Sequence, residues 1–559
     1  MLIILISWIY IFLTTLNFGF LFRYIFKIEK CHASIHHILG LFLYTIITCI
    51  FAFFIRIHIE FYTVILIANL LIIALFRKKI KNHFFKLILA YNKLNIGFKC
   101  LYVFIFIITL AQSATKPYLL DNESYYIQTI KWINNYGFVK GLANLHMFFA
   151  QNSAWHVLQA GFNFPFISNR LNDINGFVFV VMVFLFIEKL NSKKQTFQSL
   201  NLGLTLLCSL FYFQFINAPS PDLIIFLIAP YLFYLFVNKY NNISRDDFKI
   251  LLFLTVFLCF VKVTIVTLLI LPFTLFIKHY KHLKKEIGLY SLISLLCLIL
   301  FIGKNIIISG YPLYPLKIFK SISLDWKLPD KIIEFYKLGT YLDALNNADV
   351  SQLAFYEKLK LWISLPKLDG FLNKIFLFIL FVFPYLLFKL KNRTPFIIIY
   401  LITALQFILL WHTSPQYRFF FIFIAFLGIQ IFSFIIKKRQ HKIILVVFAT
   451  VIGAVPIFVP INLNAYTDNK FAMKLNTFKL ENVIHPERKS KTTTEFTKYK
   501  IENFEFYSPG VDVFFWATGD GNLPCVNQKQ IEYFKTYYKY IPELRTGNLN
   551  DGFRSKKIE

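Results

Sequence analysis

Apolar and polar positions run along this chain in long blocks, and short polar connections punctuate them from one end to the other. Each block is close to the length a helix needs to cross a hydrocarbon core of about 30 Å. The pattern predicts helices at about 2–22, 38–55, 59–76, 94–112, 174–188, 199–216, 221–237, 249–260, 263–277, 287–303, 371–388, 395–411, 417–436 and 442–460. Short segments of alternating hydrophobicity, which a membrane barrel requires, are absent from these blocks. The expected fold class is therefore an all-α polytopic membrane protein of about 14 transmembrane helices.

The connections between blocks are of two kinds. Lys and Arg crowd the connections after the first helix (Arg23, Lys27, Lys30), the third (Arg77, Lys78, Lys79, Lys81) and the fifth (Lys189, Lys193, Lys194). They return after the seventh (Lys239, Arg245, Lys249), ninth (Lys278, Lys281, Lys284, Lys285), eleventh (Lys389, Lys391, Arg393) and thirteenth (Lys437, Lys438, Arg439, Lys442). The alternate connections, such as 217–221 and 412–416, are nearly bare of charge. Positive-inside sorting then places the basic connections in the cytoplasm and both termini outside.

One stretch tests that scheme. Residues 250–277 are apolar throughout except for Lys262. At about 1.5 Å per residue a single straight helix would run roughly 42 Å, too long for one crossing without strong tilt. One crossing would also invert every later basic cluster. Two short helices meeting near Lys262 keep the charge rule, and that is the expectation here.

Three long exterior pieces follow from the same reading. The chain divides into an N-terminal four-helix segment (1–112), a first exterior loop (113–173), central helices (174–303), a second exterior loop (304–370), C-terminal helices (371–460) and an exterior tail (461–559). The tail is long enough for a small α+β domain. Strands are expected where residues alternate, at Ile501–Tyr507 and Val511–Trp516.

Composition changes little in this picture. The chain is 57% hydrophobic and 19% aromatic, with a mean hydropathy of +0.59, outside the soluble globular range. The net charge of +30 belongs to membrane-flanking connections, so no nucleic-acid partner is implied. Seven cysteines show neither a disulfide framework nor paired metal spacing. The first block, Leu2 to Phe22, lacks a basic leader and a small-residue cleavage site, and is expected to be a retained helix.

Candidate chemistry collects in the exterior pieces. Asp121 and Glu123 open the first loop. An acid here serves either as a helix N-cap or as a general base or divalent-cation ligand. The run from Gly141 to His156 mixes His146, Asn152, Trp155 and His156 with aromatics. It fits an amphipathic helix on the membrane surface, or a sugar-binding wall with Trp155 stacking on a pyranose. Lys262 suits a phosphate reached from the turn between two short helices, or a snorkelling helix end. Arg418 is a second exterior cation able to bind phosphate bidentately, or an interface anchor. Asp222, in Ser220-Pro-Asp222, fits a helix N-cap. Gly310-Tyr-Pro-Leu-Tyr-Pro315 reads as shape rather than chemistry.

Taken together, these residues resemble the arrangement in the GT-C class of integral membrane glycosyltransferases. The likeness lies in Asp121-Asn-Glu-Ser-Tyr-Tyr126 on the first long exterior loop and in a Lys-bearing turn, Val261-Lys-Val-Thr264, between two short helices. More closely, the chain is similar to a group of largely uncharacterised bacterial polytopic envelope proteins. That similarity rests on 121–156, Ser220-Pro-Asp222, Ser309–Pro315 and Asp551-Gly-Phe-Arg554. Two departures accompany it: Asn122 separates the acids, and four helices precede the acidic loop.

The resemblance implies transfer of a sugar from a polyprenyl-phosphate donor to an envelope glycan or lipid-linked acceptor, at the outer face of a bacterial cytoplasmic membrane. Asp121 would then act as base, Glu123 would orient the acceptor or hold a divalent cation (Mg or Mn), and Lys262 with Arg418 would hold the leaving phosphate. His146, Asn152, Trp155 and His156 would line the substrate. A polysaccharide polymerase or ligase, or a transporter or flippase for envelope glycans, are the alternatives.

Overall fold

The protein is described here from a computed structural model that covers residues 1–192, 196–318, 323–345, 353–390, 392–464, 477–492, 494–510 and 512–559. Lys193, Lys194, Lys391 and Val511, used in the sequence reading, lie outside the described residues. Among the described residues ten helices are long and apolar enough to cross a membrane: Leu2–Ile25, Ala33–Phe54, Ile59–Asn92, Ile96–Ser113, Ile174–Asn191, Pro221–Lys239, Tyr280–Ser309, Lys367–Leu387, Thr394–Trp411 and Arg439–Phe458.

The other four expected helices are helical but shorter or broken. Residues 197–215 form a chain of short α and 3-10 turns. Arg245–Val261 has 17 residues and Phe421–Ile435 has 15. The expected third helix also runs past its basic end. It kinks at Phe76 (φ −113°, ψ 15°) and continues to Asn92. Its 34 residues would span roughly 51 Å if straight, so the kink lets the basic part leave the membrane direction.

The stretch around Lys262 is a hairpin. Arg245–Val261 ends where Lys262 takes an extended conformation, and Val263–Leu269 with Ile270–Lys278 carry the chain back. The return is recorded at the far end: Lys278 Nζ donates to Asn241 Oδ1 at 2.8 Å, and His279 Nε2 lies 2.9 Å from the Tyr240 carbonyl. Lys262 is thus the tip, at the end of the bundle opposite the basic connections.

Four of those connections, after the first, fifth, seventh and thirteenth expected helices, are tied by polar contacts. The Glu29 and Lys30 amides donate to Asp246, His32 pairs with Glu188, Lys239 pairs with Asp247, and Arg439 donates to the Leu190 carbonyl. At the other end the long pieces share one aromatic core, including Tyr125, Tyr126, Trp132, Phe149, Tyr311, Tyr314, Phe504, Phe506 and Phe553. The bundle therefore has one basic end and one elaborated end.

In the tail, β1 (Phe496–Ile501) pairs antiparallel with β2 (Phe504–Pro509), and β3 (Tyr540–Leu544) with β4 (Phe553–Lys557). The expected strand at Ile501–Tyr507 is divided by the turn at 502–503 between β1 and β2, and of the one expected at Val511–Trp516 the described residues 512–516 make turns. Its alternation arises from packing: Trp516 lies 4.9 Å from the Phe148 ring and 6.1 Å from His146. Two glycines allow the tail to close on the first loop. Gly141 (φ +61°) and Gly552 (φ +87°) lie where a Cβ would come 2.0 Å from the Phe553 carbonyl and 1.9 Å from the Lys140 carbonyl. The Phe553 amide donates to that Lys140 carbonyl at 2.9 Å.

Candidate active site

A five-residue π-helical turn, Asn122–Tyr126, follows Asp121 and leads into the helix Ile127–Tyr136. Wide turns of this kind re-aim side chains and recur at functional sites. Here the turn sends the two acids in different directions.

Asp121 faces outward. Its Oδ2 accepts from Arg418 Nη1 at 2.9 Å, and both side chains are 31% exposed. The Tyr126 hydroxyl lies 3.4 Å from the same oxygen. Arg418 comes from the 3-10 turn Tyr417–Phe419 between two apolar helices. Burial opposes its charge, but Asp121, Asp222 and Tyr126 outweigh that and raise its pKa.

Lys262, at the hairpin tip, pairs with Asp222 in the first turn of Pro221–Lys239. Asp222 is 3% exposed and Lys262 18%. Both cations share one aromatic ring: Lys262 Nζ is 4.3 Å and the Arg418 guanidinium 5.2 Å from the centre of Phe419. Cation–π contacts of this sort hold a charge without neutralising it. Two acids and two cations thus meet around Phe419, with Tyr126 beside them. Its hydroxyl is held well above the ordinary range by burial and by Asp121 and Asp222.

The hairpin tip is fixed from behind. Ser153 Oγ donates to the Val261 carbonyl at 2.6 Å, and Ser153 also caps the helix Ala154–Ala160, whose His156 Nδ1 accepts from the Ser153 amide. The His156 ring lies 4.6 Å from Tyr126. Burial pushes the His156 imidazole down to about 3, with Lys304 and Lys262 adding to the effect, so it stands neutral behind the cluster.

Several expected residues do other work. Glu123 is fully buried. Its carboxylate accepts from Ser490 Oγ (2.6 Å), Thr492 Oγ1 (2.9 Å), the Lys491 amide (2.8 Å) and Asn122 Nδ2 (3.3 Å). With those positions occupied it does not fit the expected metal-ligand or acceptor-orienting role. It is instead the anchor of the tail. Trp155 has no exposed surface and donates to Asn175 Oδ1 at 2.6 Å. It offers no face for a sugar, and its partner Asn175 holds the Phe215 and Ser220 carbonyls, which sets the start of the Asp222 helix.

The expected surface helix at Gly141–His156 is likewise corrected: 142–144 and 147–151 are buried 3-10 turns. His146 packs against Phe149 and Trp516 at the junction with the tail. Burial pushes it down to about 3. The Asn152 carbonyl accepts from Lys304, a buried lysine on Ile287–Ser309. Among the described residues no group of three or more His, Cys, Asp or Glu is arranged to hold a metal ion.

Asp222 is the functional candidate that sequence reasoning treated as a cap. Its partner lies 40 residues away, so spacing carried no signal. The pair gives a test. Lys262→Met should cost about 3–5 kcal/mol, because it strands a buried carboxylate. The double variant Lys262→Met/Asp222→Asn should recover to within about 1 kcal/mol of the original. Thermal and denaturant melting in detergent would measure this, and a double variant no more stable than the single would exclude the pairing.

Residues 1–425 match a family described as "Domain of unknown function (DUF8201)". Neither the curated proteins nor the solved structures provide a match to the chain. Asp121, Asp222, Lys262 and Arg418 all fall inside the matched region, whereas the Ser490–Thr492 segment that holds Glu123 falls beyond it.

Proposed function

The chain belongs to that family, and from this premise we propose that it moves a sugar from a polyprenyl-phosphate donor to an envelope glycan or lipid-linked acceptor. The observation that carries the reading is the double ion pair around Phe419. Two cations and a partly exposed carboxylate lie together at the elaborated end of a membrane bundle. The resemblance to GT-C enzymes supplies the class of reaction. The reaction takes place at the outer face of a bacterial cytoplasmic membrane, with the basic end of the bundle inside.

In this reading the donor phosphate takes Arg418 and Lys262, and Asp121 is released from Arg418 toward the acceptor. Asp121 accepts the hydroxyl proton as the oxygen bonds to the anomeric carbon. The bond from that carbon to the phosphate oxygen breaks, and the polyprenyl phosphate leaves with the electron pair. Its growing charge is held by the guanidinium and the ammonium, a contribution that is large where water is scarce.

The test is direct. Purified protein in lipid vesicles, incubated with a panel of polyprenyl-phosphate sugars and mixed glycan acceptors, with and without Mg or Mn, should consume at least one donor and release polyprenyl phosphate. Full recovery of every donor, under conditions where the protein is folded and both faces are accessible, removes the proposal. Thiol labelling of a cysteine placed at Gln416 from the cytoplasmic side alone would remove its sidedness.

A further inference from the structure

An apolar groove lies at the other end of the bundle, far along the hairpin from Lys262. It has a volume of about 440 Å³ and is lined by Leu252, Pro272, Phe273, Phe276, Tyr290 and Ser294, among others. It is formed where the two arms of the hairpin leave a gap against the helix Ile287–Ser309. From Ile287 to Ser294 it runs about two turns, on the order of 10 Å, into the membrane. Phe273 is 62% and Ile287 50% exposed, so the groove opens sideways to lipid.

Two features mark its mouth. The first is an unused polar group: Tyr290 is 5% exposed and its hydroxyl, buried in the groove wall, has no hydrogen-bond partner among the described residues. A hydroxyl left unpaired in this way is costly unless a ligand completes it. The second is charge. Glu286 is already paired with Lys249 at 2.6 Å and with Arg245 at 3.9 Å. Lys281, Lys284 and Lys285 stand exposed on the short helical turns Tyr280–Leu283 and Lys284–Glu286 that lead into Ile287–Ser309. None of the three forms an ion pair among the described residues, and Lys284 rests on the Tyr280 ring at 5.7 Å. Lys278 is turned away toward Asn241.

We propose that this groove holds one acidic phospholipid of the inner leaflet. An acyl chain fills the gap between the hairpin and Ile287–Ser309, the Tyr290 hydroxyl donates to an ester oxygen, and Lys281 and Lys285 hold the head-group phosphate. The chemistry favours an acidic lipid over a zwitterionic one, because the unpaired lysines lie at the level of the head groups, where each adds to attraction for anionic lipid. The bound lipid would set the angle of the hairpin whose far tip carries Lys262. The inference concerns binding alone; its leaflet rests on the orientation proposed above, and nothing in it rests on sugar transfer.

Native mass spectrometry of the full chain, relipidated with equal phosphatidylglycerol and phosphatidylethanolamine, tests it. The expected result is one tightly retained phosphatidylglycerol per chain. Lys281→Gln/Lys285→Gln should reduce the preference for phosphatidylglycerol roughly 30-fold. Ser294→Trp should abolish retention of both lipids by filling the groove. Tyr290→Phe keeps the packing and should lower retention without changing the melting temperature, which guards against a misfolded tryptophan variant. Equal retention of the two lipids by the original protein, or unchanged retention in Tyr290→Phe and the double glutamine variant, overturns the proposal.

Discussion

Replacing Asp121 by Asn is expected to lower sugar transfer by about 10²–10⁴-fold, the range by which a positioned base accelerates proton transfer. The same change should leave the protein folded. Asp121 and Arg418 are each 31% exposed, and an ion pair this open to solvent contributes about 0–1 kcal/mol. The two readouts separate roles that sequence alone leaves joined. A helix-capping Asp121 would lose stability on substitution and leave chemistry nearly intact, whereas a base would do the reverse. The asparagine cannot take a proton, yet it keeps the size and one acceptor oxygen.

Arg418 sharpens the test. With Asn at position 121 the guanidinium loses its carboxylate while keeping its place against Phe419. Donor binding should therefore hold or tighten as turnover collapses, a split between KM and kcat that a general loss of structure would not produce. Measured in vesicles with the donor identified by the panel assay, wild-type turnover in Asp121→Asn would end its role as base.

A helical membrane bundle, with ten membrane-length helices among the described residues, and the hairpin were legible in the chain because both follow from bulk physics. Hydrocarbon thickness sets block length, and the sorting of Lys and Arg is readable from connections alone. Lys262 stood out for the same reason, as an isolated charge in a long apolar run. The break-up of 197–215 was not legible, since a buried apolar segment reads alike whether it is one helix or several turns. The division of labour between Asp121 and Glu123 was hidden too. An i, i+2 spacing does not say which acid turns inward, and the π-helical turn that decides it has no sequence signature here. Trp155 and His156 looked like a polar wall because their composition is that of one. Their partners, Asn175 and the Ser153 amide, turn them into structure.

Glu123 carries the second large effect, and it is one of stability. Its carboxylate gathers two hydroxyls and an amide from Ser490, Lys491 and Thr492, a segment 367 to 369 residues away. Its own carbonyl accepts from the Thr518 and Gly519 amides at 2.8 and 3.0 Å. Glu123→Ala removes the first set and leaves buried donors unpaired, which should cost about 3–5 kcal/mol. The carbonyl contacts survive, so the tail should loosen at 489–492 before it loosens at 517–519. Hydrogen exchange resolved by segment reads that order. Glu123→Gln keeps one acceptor for the Lys491 amide, while both hydroxyls can rotate to accept from the new amide, so its cost should be smaller.

The pH dependence of that comparison has a fixed sign. Burial holds the Glu123 carboxyl above its ordinary value, with Ser490, the Lys491 amide and Thr492 offsetting part of the rise. The folded protein then binds the proton more tightly than the unfolded chain. The contribution of Glu123 to stability is full below the unfolded pKa and declines as pH rises to the folded one, whereas the glutamine variant lacks this slope. The advantage of the original protein over Glu123→Gln should therefore shrink as pH rises above about 4.5. A gap that widens with pH instead would mean that the four donors outweigh burial, and that the tail is held by the ionised carboxylate.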